Sequence, residues 1–140
     1  MPITIRSLDH VVLTVASIEE TAAFYSRVLG MEVRTFGQGR VALHFGRQKI
    51  NLHEVGRVVD PNVRHATPGS ADFCLLTDTP IEEVMGHLAA CSVPVVEGPV
   101  DRTGAVHALK SVYFYDPDDN LIEVAHELQR PAARRTEAAA

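Results

Sequence analysis

Two residues in extended runs are of the types that do chemistry: Glu123, in Leu121–Val124, and His10, in Leu8–Val15. Side chains alternate along a strand, so Leu121, Glu123 and Ala125 share one face while Ile122, Val124 and His126 share the other. Glu123 therefore points away from the Ile122/Val124 packing face. The same alternation sets His10, Val12 and Thr14 against Val11, Leu13 and Val15. Asn51 and His53 lie on one face of a third run, one pleat apart, and Asp72 opens a fourth. If these strands face one space, the expected metal ligands are His10, His53, Asp72 and Glu123, with Asn51 as the alternative to His53. Imidazole and carboxylate together suit a borderline divalent ion, Mn, Fe, Co, Ni or Zn, and positions left to water make such a site catalytic. Glu123 is also the candidate catalytic proton carrier.

The elements that must position these residues follow from the pattern. Ser111–Leu128 reads as a hairpin, with Val112–Tyr115 leading into the turn Asp116-Pro117-Asp118-Asp119-Asn120 and then Leu121–Val124. Ser17 with Glu20 makes a capping box for a helix striped by Ile18, Ala22, Tyr25 and Leu29, and Gly30 ends it. Strands are expected at Met31–Phe36, Arg40–Phe45 and Gln48–Val55. After a Pro- and Gly-containing stretch over Gly56–Ser70 the order restarts, with a strand at Ala71–Thr77 and a helix opened by a Thr79-Pro80-Ile81-Glu82 capping box. A strand at Val93–Val96 and a polar loop over Glu97–Ala108 then lead into the hairpin. Ile18-Glu19-Glu20 recurs as Ile81-Glu82-Glu83. Both halves thus read β-α-β-β-β, two modules near 8–55 and 71–127 in a single domain over 1–128, with a site expected between them.

The other histidines rank lower. His107 lies in Arg102–Lys110, read as a loop beside the site, where it could bring a base or an anion-binding group; a solvated loop histidine is the commoner case. His44, His65, His87 and His126 have no matched partner, and Tyr113 and Tyr115 share a face that would line a pocket or pack.

Composition excludes several classes. The chain has 140 residues, 46% hydrophobic and 22% charged, with a formal charge of −5. That is one ordinary globular domain, and the charge argues against a nucleic-acid partner. No apolar run approaches the ~20 residues of a membrane span. Cys74 and Cys91 lack CxxC spacing, and no signal-peptide pattern opens the chain, so a cytoplasmic location is expected. The tail from Gln129 to Ala140 is expected to be mobile or weakly helical.

In Leu8–Val15, Ala23–Met31, Ile50–Val55 and Tyr113–Val124 the chain resembles the vicinal oxygen chelate superfamily, the glyoxalase, bleomycin-resistance and extradiol-dioxygenase group, and within it glyoxalase-domain proteins of unassigned substrate. The resemblance implies an α+β fold of two tandem βαβββ modules forming a curved mixed sheet around a cleft. It also implies a homodimer, a divalent metal held by first-strand and last-strand residues, and a small-molecule substrate. His10 matches the first ligand and Glu123 the last, while Asn51 stands where the glyoxalase pattern has a carboxylate and Asp72 where it has a His. Three functions follow as expectations: a metal-dependent lyase or isomerase of glyoxalase type, a ring-cleaving dioxygenase using His10, His53 and Glu123 on iron, or a metal-free binder of an antibiotic or toxin.

Overall fold

The computed structural model describes residues 2–132. The chain divides into two compact units. One comprises the chain up to Ala71 together with Pro117–Asp119; the other comprises Asp72–Asp116 and the chain from Asn120 onward. Each carries one βαβββ module and one four-stranded mixed sheet, so the fold is α+β, as the repeat in the sequence required.

The first unit runs β1 (His10–Val15), α1 (Ile18–Leu29), β2 (Glu32–Phe36), β3 (Arg40–Phe45) and β4 (Gln48–Glu54), with sheet order β1-β4-β3-β2. β1 lies parallel to β4, and the other pairings are antiparallel. α1 starts where its free N–H groups find acceptors. Ser17 Oγ accepts from Glu20 N at 3.1 Å, and Glu54 Oε1 from Ile18 N at 3.1 Å. Both oxygens of Asp118 accept from Ala16 N at 3.3 Å just upstream. Gly30 closes the helix in the left-handed conformation, φ +67°, which costs a residue without Cβ nothing. The helix face that packs is Thr21, Tyr25 and Val28; it shares Tyr25 with the expected stripe and is otherwise displaced by one residue, about 100° around the helix. It belongs to the same core as Leu13, Val15, Leu43, Ile50 and Leu52, each at most 7% exposed. Burying each such aliphatic side chain contributes roughly 1.5–3 kcal/mol.

The second unit runs β5 (Asp72–Leu76), α2 (Ile81–Ala90), β6 (Glu97–Thr103), β7 (His107–Tyr115) and β8 (Leu121–Pro131), with sheet order β5-β8-β7-β6. Again the first strand runs parallel to the last. Val112, Phe114, Ile122 and Val124 fill the core with Ile81 and Leu88 of α2. The hairpin turn is held from inside: Asp116 Oδ1 accepts from Asn120 N at 2.9 Å and Oδ2 from Asn120 Nδ2 at 2.8 Å, both residues buried.

Four expectations of this unit change. No Thr79 capping box forms; Pro80 itself is the N-cap and offers no side-chain acceptor. Val93–Val96 is not a strand, because Val93 N instead closes the end of α2 by donating to Leu88 O at 2.9 Å. The stretch read as a polar loop contains β6, an edge strand on which Gly98 and Pro99 are tolerated because one side pairs with nothing in its sheet. The hairpin strands are longer than expected: β7 begins at His107, and β8 continues through Gln129–Pro131, residues first assigned to a mobile or weakly helical tail. The rest of that tail, from 133 on, lies outside the described residues.

Candidate active site

The face of the second sheet that turns away from α2 carries Glu123, and the register decides what stands beside it. Across the parallel β5–β8 pair its partner is Cys74; across the antiparallel β7–β8 pair it is Tyr113. Such directly paired side chains lie close enough to interact. The Tyr113 hydroxyl donates to Glu123 and accepts from Arg102 Nε at 2.8 Å. The Arg102 guanidinium also sits 5.3 Å from the Tyr113 ring centre and 3.5 Å from Glu97 Oε1. Guanidinium, phenol and carboxylate thus form a chain across three strands, with Tyr113 in the middle. Burial raises the Tyr113 hydroxyl above its ordinary value; the Arg102 hydrogen bond opposes this and the Glu123 carboxylate reinforces it.

Cys74 is the other neighbour. Its thiol is pushed up to about 12, first by burial and then by the negative charge and hydrogen bond of Glu123. A thiol so held is protonated at neutral pH and acts as a hydrogen-bond donor rather than a nucleophile. The sequence marks Cys74 only by its lack of CxxC spacing; it stands against a carboxylate.

Beside these groups the second unit has a pocket of about 360 Å³. Cys74 and Glu123 line one part of it, His107 and Glu127 another, and Leu76 and Leu109 add apolar wall. This volume falls within the ordinary range for small-molecule sites. His107 Nδ1 and Glu127 Oε2 are 2.7 Å apart. A shallower hollow of about 500 Å³ beside Met85, Ala89 and Val93 carries no titratable group.

The other expected site residues fall elsewhere. Asp72 pairs with Leu121, two residues along from Glu123, or about 7 Å at the rise of a strand. In the first unit His10 pairs with Lys49 and His53 with Thr14, four residues apart along the strand, or about 13 Å. His10 Nδ1 is 2.8 Å from Asp9 Oδ2, and this hydrogen bond holds the Asp9 carboxyl below its usual range. His53 differs: both ring nitrogens are shut from solvent without a hydrogen-bond partner among the described residues, as is Oδ1 of the buried Asn51. A buried polar group left unpaired costs roughly 1–3 kcal/mol.

A divalent ion was expected from this set. Among the described residues no three His, Cys, Asp or Glu side chains gather as a metal-binding group. The four expected ligands come two from each unit, and neither unit by itself supplies a fitting set. Glu123 is instead flanked by a phenol and a protonated thiol, both hydrogen-bond donors to it.

The family model described as Glyoxalase/Bleomycin resistance protein/Dioxygenase superfamily matches residues 7–124. The chain belongs to this superfamily. It is 49% identical, over 121 residues, to the virulence protein STM3117 of Salmonella typhimurium, covering 86% of this chain and 84% of that one. The crystal structure of that protein superposes with a TM-score of 0.88, covering 90% and 100% of the two chains. It is also 49% identical over 123 residues to the glyoxalase domain-containing protein RDO1 of Mycosarcoma maydis, covering 88% and 69%. A lactoylglutathione lyase structure from Agrobacterium tumefaciens is 25% identical, with a TM-score of 0.66 over 86% and 92% of the chains. The matched residues include β1 with His10 and β8 with Glu123, the strands that carried the resemblance in the sequence.

Three members of this cluster were not singled out from the sequence. Cys74 could have been found by pairing β5 with β8 residue by residue. Glu127 carries a signal of its own, since it is two pleats beyond Glu123 on the same face. Arg102 carries none, because it lies in a stretch whose polarity hid the strand.

Proposed function

We propose that the protein is a glyoxalase-type lyase or isomerase acting on a small substrate with adjacent oxygens, held in the pocket of the second unit, with Glu123 as the group that moves the proton. The observation that carries this reading is the setting of Glu123: in a pocket of substrate size, with Tyr113 and Cys74 donating to it and Arg102 behind Tyr113. A carboxylate so flanked is oriented. It can accept a proton from a carbon next to a carbonyl. Leu76 and Leu109 supply apolar wall beside it.

Among the described residues no fitting set of metal ligands gathers, so this reading assigns no step to a metal ion. The steps above belong to the chain's own residues.

A second reading, capture of a small toxic compound without turnover, is favoured by the donors around Glu123, which suit recognition of a ligand as well as chemistry on it. The deciding experiment measures metal per chain in untagged protein, with turnover of α-ketoaldehydes and oxygen uptake with catechols. α-Ketoaldehyde turnover by the wild type, lost in Glu123→Ala, is the expected result, with metal content read alongside it. Oxygen uptake with catechols moves the function to dioxygenation. Tight binding by metal-free protein without turnover establishes capture.

A further inference from the structure

The pocket that holds Glu123 holds a second ionisable pair. His107 begins β7 and Glu127 lies on β8, and their side chains meet at 2.7 Å between Nδ1 and Oε2. A carboxylate oxygen can only accept, so Nδ1 carries a proton, and in the neutral ring Nε2 is the nitrogen with the lone pair. Both residues line the pocket with Glu123, Cys74 and the apolar Leu76 and Leu109. Histidine fixed in one tautomer by an acidic neighbour is the arrangement of a general base, and Glu127 has no comparable partner that would take it away from this task among the described residues.

We infer that His107 is a second proton-transferring residue of this pocket, oriented by Glu127, and that the substrate is an uncharged or cationic α-hydroxycarbonyl compound. The inference rests on the function proposed above and adds its base and its substrate class. The charge follows from the lining: Glu123 and Glu127 contribute two carboxylates, and among the described residues no Lys or Arg lines the pocket, the nearby Arg102 being engaged by Tyr113 and Glu97. An anionic substrate would meet like charge at close range. Size follows from about 360 Å³, which suits a compound of few heavy atoms.

The step balances without a co-reactant. His107 Nε2 takes the proton from the carbon bearing the hydroxyl. The C–H electron pair becomes the C=C bond of an enediolate, and the carbonyl π pair moves onto its oxygen. Return of a proton to the neighbouring carbon, with a proton passed between the two oxygens, gives the isomer. Nothing is oxidised or reduced overall. With His107 and Glu123 in one pocket, removal and return need not fall to a single group. Glu127 is a positioning residue, touching His107 and not the reacting carbon.

Two measurements test this. The first is the ¹⁵N spectrum of the His107 imidazole in the full chain, assigned with His107→Gln. Protonated Nδ1 with bare Nε2 at neutral pH is expected, with the preference lost in Glu127→Gln. A ring protonated at Nε2 alone, or a preference unchanged in Glu127→Gln, overturns the inference whatever the fate of the proposed function. The second is carbon-bound hydrogen exchange into D₂O for dihydroxyacetone, glycolaldehyde and, as the anionic counterpart, glycerate semialdehyde-type carboxylated analogues. Exchange of the uncharged compounds is expected, falling roughly 100-fold or more in His107→Gln, with the carboxylated analogue exchanged least. Exchange unchanged in His107→Gln but lost in Glu123→Gln overturns this inference and leaves the proposed function standing. Absence of exchange in the wild type with every compound overturns both.

Discussion

Cys74 and Glu123 stand opposite each other on the parallel β5–β8 pair, and the thiol donates to the carboxylate. The carboxylate thereby acquires a donor that no charge count would have supplied, and the thiol loses its reactivity. Removing the charge should return part of it. In Glu123→Gln, on a Cys91→Ser background, alkylation of Cys74 at pH 9 is expected to accelerate several-fold, since each unit of pKa is about tenfold in thiolate. Burial, the larger cause, stays in place, so the rate remains below that of an unfolded thiol. An unchanged rate would show that Glu123 does not act on this sulfur.

The same thiol sets a pH dependence. Its folded value, about 12, lies above the ordinary 9.0. The folded chain therefore holds a proton that the unfolded chain releases. The stabilisation is complete below pH 9 and is lost as pH rises toward 12. Chemical unfolding across pH 8–11 should show wild type losing stability more steeply than Cys74→Ser.

Tyr113→Phe keeps the ring under Arg102 and deletes the hydroxyl between Arg102 and Glu123. Stability should change by only about 1 kcal/mol, because Arg102 retains Glu97 at 3.5 Å. Ultraviolet titration of the wild type should contain one tyrosine ionising above pH 10 that is missing from the variant, with turnover lowered in parallel. A wild-type-minus-variant difference curve that rises at the ordinary tyrosine value contradicts the raised Tyr113 hydroxyl.

Two glycines predict changes of opposite sign. Gly98 has φ +129°, and a Cβ there would meet Ser111 O at 2.7 Å and Val112 Cα at 2.9 Å, both backbone. Gly98→Ala should cost roughly 2–3 kcal/mol. Gly86 lies inside α2 with nothing within 4 Å of an added Cβ, so Gly86→Ala should stabilise by about 0.5–1 kcal/mol. Urea unfolding of both variants reads the contrast.

Asn120 is 2% exposed and spends both its backbone and its side-chain N–H on Asp116. Asn120→Ala leaves a buried carboxylate oxygen short of its donor and should cost about 1–3 kcal/mol. Matching loss in Asp116→Ala, with no further loss in the double variant, would mark the pair as one unit.

The sequence was most legible where period and turn chemistry agreed. β1, β3, β4 and the Asp116–Asn120 turn were read nearly to the residue, and Glu123 was placed on the correct face, because alternation alone decides it. What failed was information that sequence does not hold locally. Whether Asp72 or Cys74 stands beside Glu123 depends on strand register, and both share the face. β6 escaped because an edge strand has no need of apolar alternation, and its glycine and proline resemble loop punctuation. His107 was set down as a loop residue for the same reason, although it opens β7 and meets a carboxylate twenty positions away.

The first unit includes Pro117–Asp119, and Asp118 is the acceptor for Ala16 N ahead of α1. Gly69 packs against the same Asp118: a Cβ there would lie 2.5 Å from the Asp118 carbonyl oxygen. The amino-terminal half is thus not finished when its own last residue emerges from the ribosome. β1–β4 can form early, but the end of β1 gains its last acceptor only after residue 118 has been synthesised. Long-range closure of this kind slows folding. A nascent chain stalled near residue 80 should be more open to proteases around Ala16 than the same stretch in the complete protein.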